Sequence, residues 1–191
     1  MSDHSMDNSD SASPKGRHSK FQIFRANGAE SLMDSGNMSV EFPSDVRPQV
    51  TEAAKHGLLD GDQVKVLFDL PGFSLIHAWI KKNYPLSLHT HDTDCLYFIV
   101  SGELRLGNEL LGKGDGFFVP ANVPYTYLAV GDNGVEILEF RHSGQFNFKS
   151  LSKGNFWNKA IETCKAEQAA WQHAISPLAL NAQHDDTENA K

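Results

Sequence analysis

Short apolar runs broken by turn residues organise the middle of this chain. Between Val64 and Arg141 the runs VKVLF, FSLIHAWI, CLYFIV, GFFVP, YTYLAV and VEILEF are rich in β-branched and aromatic residues. Pro-Gly, Ser-Gly, Gly-Lys-Gly and Gly-Asp-Asn-Gly separate them, so the pattern predicts several short strands in an antiparallel sandwich or barrel. On either side the period changes. Residues 44–57 predict a short helix with Ser44 as its N-cap and Gly57 at its end, its start disturbed by Pro48, covering one end of the barrel. From Asn155 to Ile175, the residues Trp157, Ile161, Cys164, Gln168 and Trp171 fall near helical spacing ahead of Pro177, which predicts a C-terminal helix packed on the barrel or on a partner.

Polar ends frame these elements. The first 20 residues are rich in Ser, Asp and Asn and lack the apolar core of a secretory signal, and the last 11, NAQHDDTENAK, are equally polar. The expected organisation is a disordered tail over 1–20, an extension with a short helix over 21–63, the barrel over 64–148, a helical segment over 149–178, and a second tail over 179–191. No run approaches the length of a membrane span.

Composition narrows the class of partner. At 191 residues and 40% hydrophobic content the chain can bury one core. A net charge of −7 gives no basic footprint for nucleic acid or an anionic membrane, and neither terminal segment carries a basic helix-turn-helix. Two cysteines far apart in sequence, Cys95 and Cys164, suit a reducing cytoplasm rather than a disulfide framework. The expected partner is a small molecule, and the expected assembly a homodimer, with Phe156, Trp157 and Trp171 as large apolar groups needing cover.

Candidate chemistry centres on His89-Thr90-His91. Two imidazoles at i and i+2 on a strand point to one face and can chelate one metal ion. His91 is followed by Cys95 and then Gly102, while Gly114, Asp115 and Pro120 lead to Tyr125. This frame resembles the cupin family, whose motifs read G-x5-H-x-H-x3,4-E-x6-G and G-D-x4-P-x-G-x-x-H. The resemblance spans residues 64–142. It implies an all-β, antiparallel double-stranded β-helix, the jelly-roll barrel, with short flanking helices.

The ligand set departs from that family. Cys95 stands at the usual glutamate, Tyr125 at the usual third histidine, and Asn122 at the turn glycine, a change that Asn tolerates because it also visits the left-handed region. One reading is a metal site of His89 and His91 completed by Cys95, by Tyr125, or by a histidine from another strand. His142 is carried as a candidate ligand and His77 as a weaker one, although neither falls on a family position. A second, by analogy with thiol dioxygenases, is a Cys95–Tyr125 crosslink beside the metal. A third is a degenerate site that only binds a ligand.

The resemblance implies a divalent transition metal, Fe(II) favoured and Zn, Ni or Mn as alternatives, and a dioxygenase-type reaction on an aromatic or carbonyl substrate. Tyr125 and Tyr127 are the candidates for proton transfer, since a phenol beside a divalent cation has its charged form favoured. The aromatic residues of the barrel, about half of which alternation should turn inward, suggest an apolar pocket. Lys81 and Arg105 are further candidates as carboxylate partners.

Overall fold

The computed structural model describes residues 21–176, so the two expected tails, 1–20 and 179–191, lie outside the described residues. The N-terminal extension supplies β1 (Glu30–Ser31), a single helical turn α1 (Leu32–Ser35) and β2 (Met38–Glu41). A 3-10 turn over Ser44–Val46 leads into α2 (Arg47–Lys55). Ser44 therefore opens the 3-10 turn rather than capping the helix. Pro48 sits in the first turn of α2, where no backbone N–H is required, so it starts the helix instead of disturbing it. Gly57 ends the segment in the left-handed conformation at φ 90°.

The barrel strands follow as β3 (Asp62–Leu70), β4 (Phe73–Ile80), β5 (His89–Thr90), β6 (Cys95–Leu106), β7 (Glu109–Gly112), β8 (Gly116–Val119), β9 (Leu128–Ala129), β10 (Val135–Arg141) and β11 (Phe146–Ser150). The chain then enters α3 (Gly154–His173). One sheet runs β1-β3-β4-β10-β6-β7, with β8 and β9 also pairing with β6; the other runs β2-β11-β5. All pairings are antiparallel except that of β2 with β11. The expected all-β, antiparallel jelly roll with short flanking helices is what the chain adopts.

Alternation along β6 sorts its side chains between two environments. Cys95, Tyr97 and Ile99 are at most 1% exposed, while Leu96 and Phe98 are 50% and 44% exposed on the opposite face. Across the β10 pairing Ile137 faces Ile99, Glu139 faces Tyr97 and Arg141 faces Cys95. The inner face of β10 thus carries a carboxylate and a guanidinium beside an otherwise apolar core.

The terminal helices close one end. Trp157, Ala160, Cys164 and Trp171 of α3 pack with Val46, Ala53 and Leu58. Trp157 and Trp171 are each 2% exposed, so they are covered within the chain and call for no partner. Ile161 and Gln168, the other members of the expected stripe, are only half-buried. Gln168 instead hydrogen-bonds Asp60 at 3.2 Å. Lys81 Nζ donates to the carbonyls of Asp60 and Trp171 at 2.6 and 2.7 Å, tying the end of β4 to the end of α3. Its role is therefore structural. Arg105 is exposed on β6. Among the described residues no helix is long and apolar enough to cross a membrane.

Candidate functional site

A cavity of about 260 Å³ opens between the barrel and the N-terminal extension. Its walls are apolar, with Met38, Val40 and Phe42 from the extension, Leu58 from the turn after α2, and Phe148 and Trp157 from the C-terminal half. Its polar groups are His89, His91, Tyr125, Tyr127, Glu139, Arg141, Asp62, Tyr84 and Ser87.

The HxH segment is held on both sides. His89 and Tyr125 exchange backbone hydrogen bonds at 3.1 and 3.0 Å, and Asn122, in the left-handed region at φ 62°, donates its N–H to the His91 carbonyl at 2.7 Å. The two imidazoles come within 5.1 Å, centroid to centroid, at 75°. The His89 ring stacks on Phe148 at 4.4 Å, and the His91 ring meets Phe146 edge-on at 5.7 Å.

Backbone carbonyls fix both tautomers. His89 Nδ1 lies 2.7 Å from the Ser87 carbonyl, and His91 Nδ1 contacts the Asn147 carbonyl. A carbonyl only accepts, so each Nδ1 carries the proton and each Nε2 keeps its lone pair. Burial pushes both imidazoles down to about 4, with the neighbouring Arg141 charge adding to the effect at His91. Both rings are neutral at physiological pH. An Nδ1 held by a carbonyl, with Nε2 left as donor, is how histidine ligands are oriented toward a metal.

Tyr125 occupies the third position. Its hydroxyl donates to His91 Nε2 at 3.1 Å and contacts the Tyr97 hydroxyl. Arg141 Nη2 donates to the Tyr97 oxygen at 3.4 Å, and Nη1 donates to Glu139 Oε2 at 2.7 Å. The guanidinium lies 4.1 Å over the Phe146 ring. The donors run in one direction, Arg141 to Tyr97 to Tyr125 to the His91 lone pair.

The other expected site residues are placed differently. Cys95 is buried on the inner face of β6 but does not line the cavity, and burial pushes its thiol up to about 12. His142 is exposed just beyond β10, outside the cavity lining. His77 is 5% exposed with Nε2 unpartnered, and it does not line the cavity either. Tyr127 does line it, and burial carries the Tyr125 and Tyr127 phenols well above their ordinary range rather than below it.

Among the described residues no group of three or more His, Cys, Asp or Glu side chains is placed to hold a metal ion. The donor set therefore fits two positions of a metal's coordination shell, His89 and His91, and leaves the third to Tyr125 or to a ligand. Sequence reasoning passed over Glu139, Arg141 and Phe148. The first two were signalled by alternation in VEILEFR, which puts two charged residues on the face shared with Ile137.

No family model matches the chain, and no curated protein matches it. Solved structures do. The chain is similar to KdgF from a Halomonas species, at 22% identity over 43% of this chain and 81% of that one, with a TM-score of 0.38. It is similar to the polyketide cyclase RemF from Streptomyces resistomycificus, at 14% identity over 55% and 84%, with a TM-score of 0.45. An RmlC-like cupin from Shewanella frigidimarina aligns at 20% identity over 51% and 82%, with a TM-score of 0.38. Overlaps of this extent leave the chemistry to be read from this chain's own residues.

Proposed function

We propose that this chain is a cupin-fold enzyme acting on a small, apolar or aromatic molecule, with His89 and His91 holding a divalent transition metal at the polar end of the cavity. The observation that carries the reading is the shared tautomer, two neutral imidazoles each tied at Nδ1 to a backbone carbonyl and each keeping its Nε2 lone pair. Fe(II) is the metal we favour, over Zn, Ni or Mn, and when bound it would supply Lewis acidity toward a substrate oxygen and the means of a dioxygenase-type oxidation.

The protein's own residues have separable roles in this proposal. His89 and His91 bind. Tyr125 yields the His91 lone pair on loading and, with Tyr127, holds or moves a proton at the substrate oxygen. Glu139 and Arg141 keep Tyr97 and Tyr125 oriented. The apolar walls exclude water. Cys95 and His142 remain candidate ligands only if the site rearranges, since neither lines the cavity. A cytoplasmic setting and a homodimer belong to the same proposal, supported by two free, buried cysteines and by the exposed apolar face of Leu96, Phe98 and Phe118.

One observation favours a second reading, a small-molecule binding barrel with a degenerate metal site: the Tyr125 hydroxyl already satisfies His91 Nε2. Metal content by mass spectrometry separates the two, on untagged protein purified anaerobically beside a His89→Ala, His91→Ala double variant. Near-stoichiometric metal that the variant loses is the expected result. Absence of metal in both proteins, even after reconstitution, would overturn the metalloenzyme and leave the binding barrel.

A further inference from the structure

The polar groups that reach the cavity are mostly hydrogen-bond acceptors. Glu139 Oε2 takes a hydrogen bond from Arg141, and Oε1 of the same carboxylate has no hydrogen-bond partner among the described residues. His89 keeps a lone pair on Nε2 and has no partner there among the described residues. Asp62 lines the cavity beside Tyr84, and burial pushes its carboxyl up to about 6.

The charged donor, by contrast, is buried, and one of the phenols is engaged. Tyr125 donates to His91, and Arg141 donates to Glu139 and Tyr97. Two of the five Arg141 N–H groups make these bonds, and the others, Nε–H among them, belong to a side chain that is 1% exposed with its guanidinium 4.1 Å over the Phe146 ring. The Tyr127 and Ser87 hydroxyls, which can donate or accept, have no hydrogen-bond partner among the described residues and remain for a ligand to use.

Charge follows the same logic. Glu139 is paired with Arg141 at 2.7 Å, while Asp62 has no ion pair among the described residues and burial pushes its carboxyl up to about 6. An incoming carboxylate would meet the Glu139 and Asp62 carboxyls, with the guanidinium behind Glu139 only 1% exposed. An ammonium ion would gain little at Glu139, whose charge Arg141 already balances.

We infer that the cavity selects a neutral compound with an apolar body and one hydroxyl donor, a phenol, enol or alcohol, and discriminates against carboxylates and amines, with Glu139 Oε1 and Tyr127 receiving the hydroxyl. This deepens the reading above by naming the substrate class, and it rests on the cavity being the ligand site.

Four single-ring probes test it by calorimetric titration of the protein as purified at pH 7.5: phenol, anisole, benzoate and benzylamine. Phenol is expected to bind at least about tenfold more tightly than each of the others, the cost of one unmet hydrogen bond in a buried site. Anisole matching phenol would overturn the hydroxyl requirement. Benzoate or benzylamine binding as tightly as phenol would overturn the charge argument. If none of the four binds, the inference falls, while the proposed function is decided separately by the metal content of the protein and its His89→Ala, His91→Ala variant. Glu139→Gln exchanges an acceptor for a donor, and the phenol-to-benzoate ratio is expected to fall toward one. An unchanged ratio in the folded variant would remove Glu139 from the assignment. The four-probe series on the unaltered protein decides the preference without any variant.

Discussion

Arg141 donates from Nη1 to Glu139 Oε2 at 2.7 Å, two residues away on the same face of β10, with their side chains 1% and 11% exposed. Both charges sit inside the barrel because a period of two turns residues 137, 139 and 141 the same way. The guanidinium also reaches the Tyr97 hydroxyl. Removing one partner strands the other. Arg141→Met is expected to lower stability by about 3 to 5 kcal/mol, the range for breaking a buried pair from one side, as read by urea denaturation. Arg141→Met, Glu139→Met together should cost less than Arg141→Met alone, because no unpaired charge is left behind. A single variant as stable as the parent would show that the pair is not held in water-free surroundings.

The two buried histidines give stability a defined pH dependence. Both have folded values near 4 against an ordinary 6.5, so the unfolded chain binds protons that the folded chain refuses. Their contribution is fully present above about 6.5 and is lost as pH falls toward about 4, at up to about 1.4 kcal/mol per pH unit for each ring. The urea midpoint is expected to be flat from pH 8 to 7 and to fall between pH 6.5 and 4.5. His89→Gln should shallow that fall, and a His89→Gln profile identical to the parent's would rule the ring out as its source.

Neither thiol is expected to react in the folded protein. Burial pushes Cys95 up to about 12 and Cys164 up to about 11, and the thiolate is the reactive species. A chromogenic disulfide reagent at pH 8 should find no thiol in native protein and both in denaturant. Cys95→Ser is likewise expected to leave metal content unchanged. Loss of metal in that variant would return Cys95 to the ligand set.

Gly102 ends the first half of β6 at φ 75°, and a Cβ there would run into the backbone carbonyl oxygen of Gly134. A backbone collision cannot be relieved by turning a side chain. Gly102→Ala is expected to cost about 2 kcal/mol or more, strain and displacement together, measurable as a lowered thermal midpoint. Gly107→Ala makes the comparison, since Gly107 also has positive φ, at 60°, but open space around it. Equal losses in the two variants would show that backbone strain, and not the collision, sets the cost.

The strands with a strong alternating pattern were readable from the sequence, and so was α3. The short pieces were not. β1, β2 and β11 have no local signal, because each is held by a distant partner: Phe146 pairs with Met38 and Glu30 with Val66. The site divided along the same line. His89 and His91 stand two apart in one segment, and their spacing alone brought them together. Cys95 was expected to ligate because it occupies a motif position, yet the inner face of β6 turns it into core rather than toward the cavity. His142 was singled out by residue type, and it falls one residue past Arg141, on the other side of the strand. Phe148, which stacks on His89, belongs to a strand that sequence patterning did not reveal.

The parallel pairing of β2 with β11 has a bearing on how the protein is made. Met38 and Val40 on one strand, and Phe146 and Phe148 on the other, wall the same cavity, although more than a hundred residues of chain separate them. Asn37 reinforces the closure by donating Nδ2 to the Gly144 carbonyl at 2.6 Å. Contacts that span so much sequence form late, after the loop between them has been ordered. A nascent chain leaving the ribosome can pair β3 with β4 long before β11 exists. The cavity is therefore expected to be the final part of the molecule to be assembled, and a chain truncated before Phe146 is expected to retain most of its strands without the wall that Phe146 and Phe148 supply.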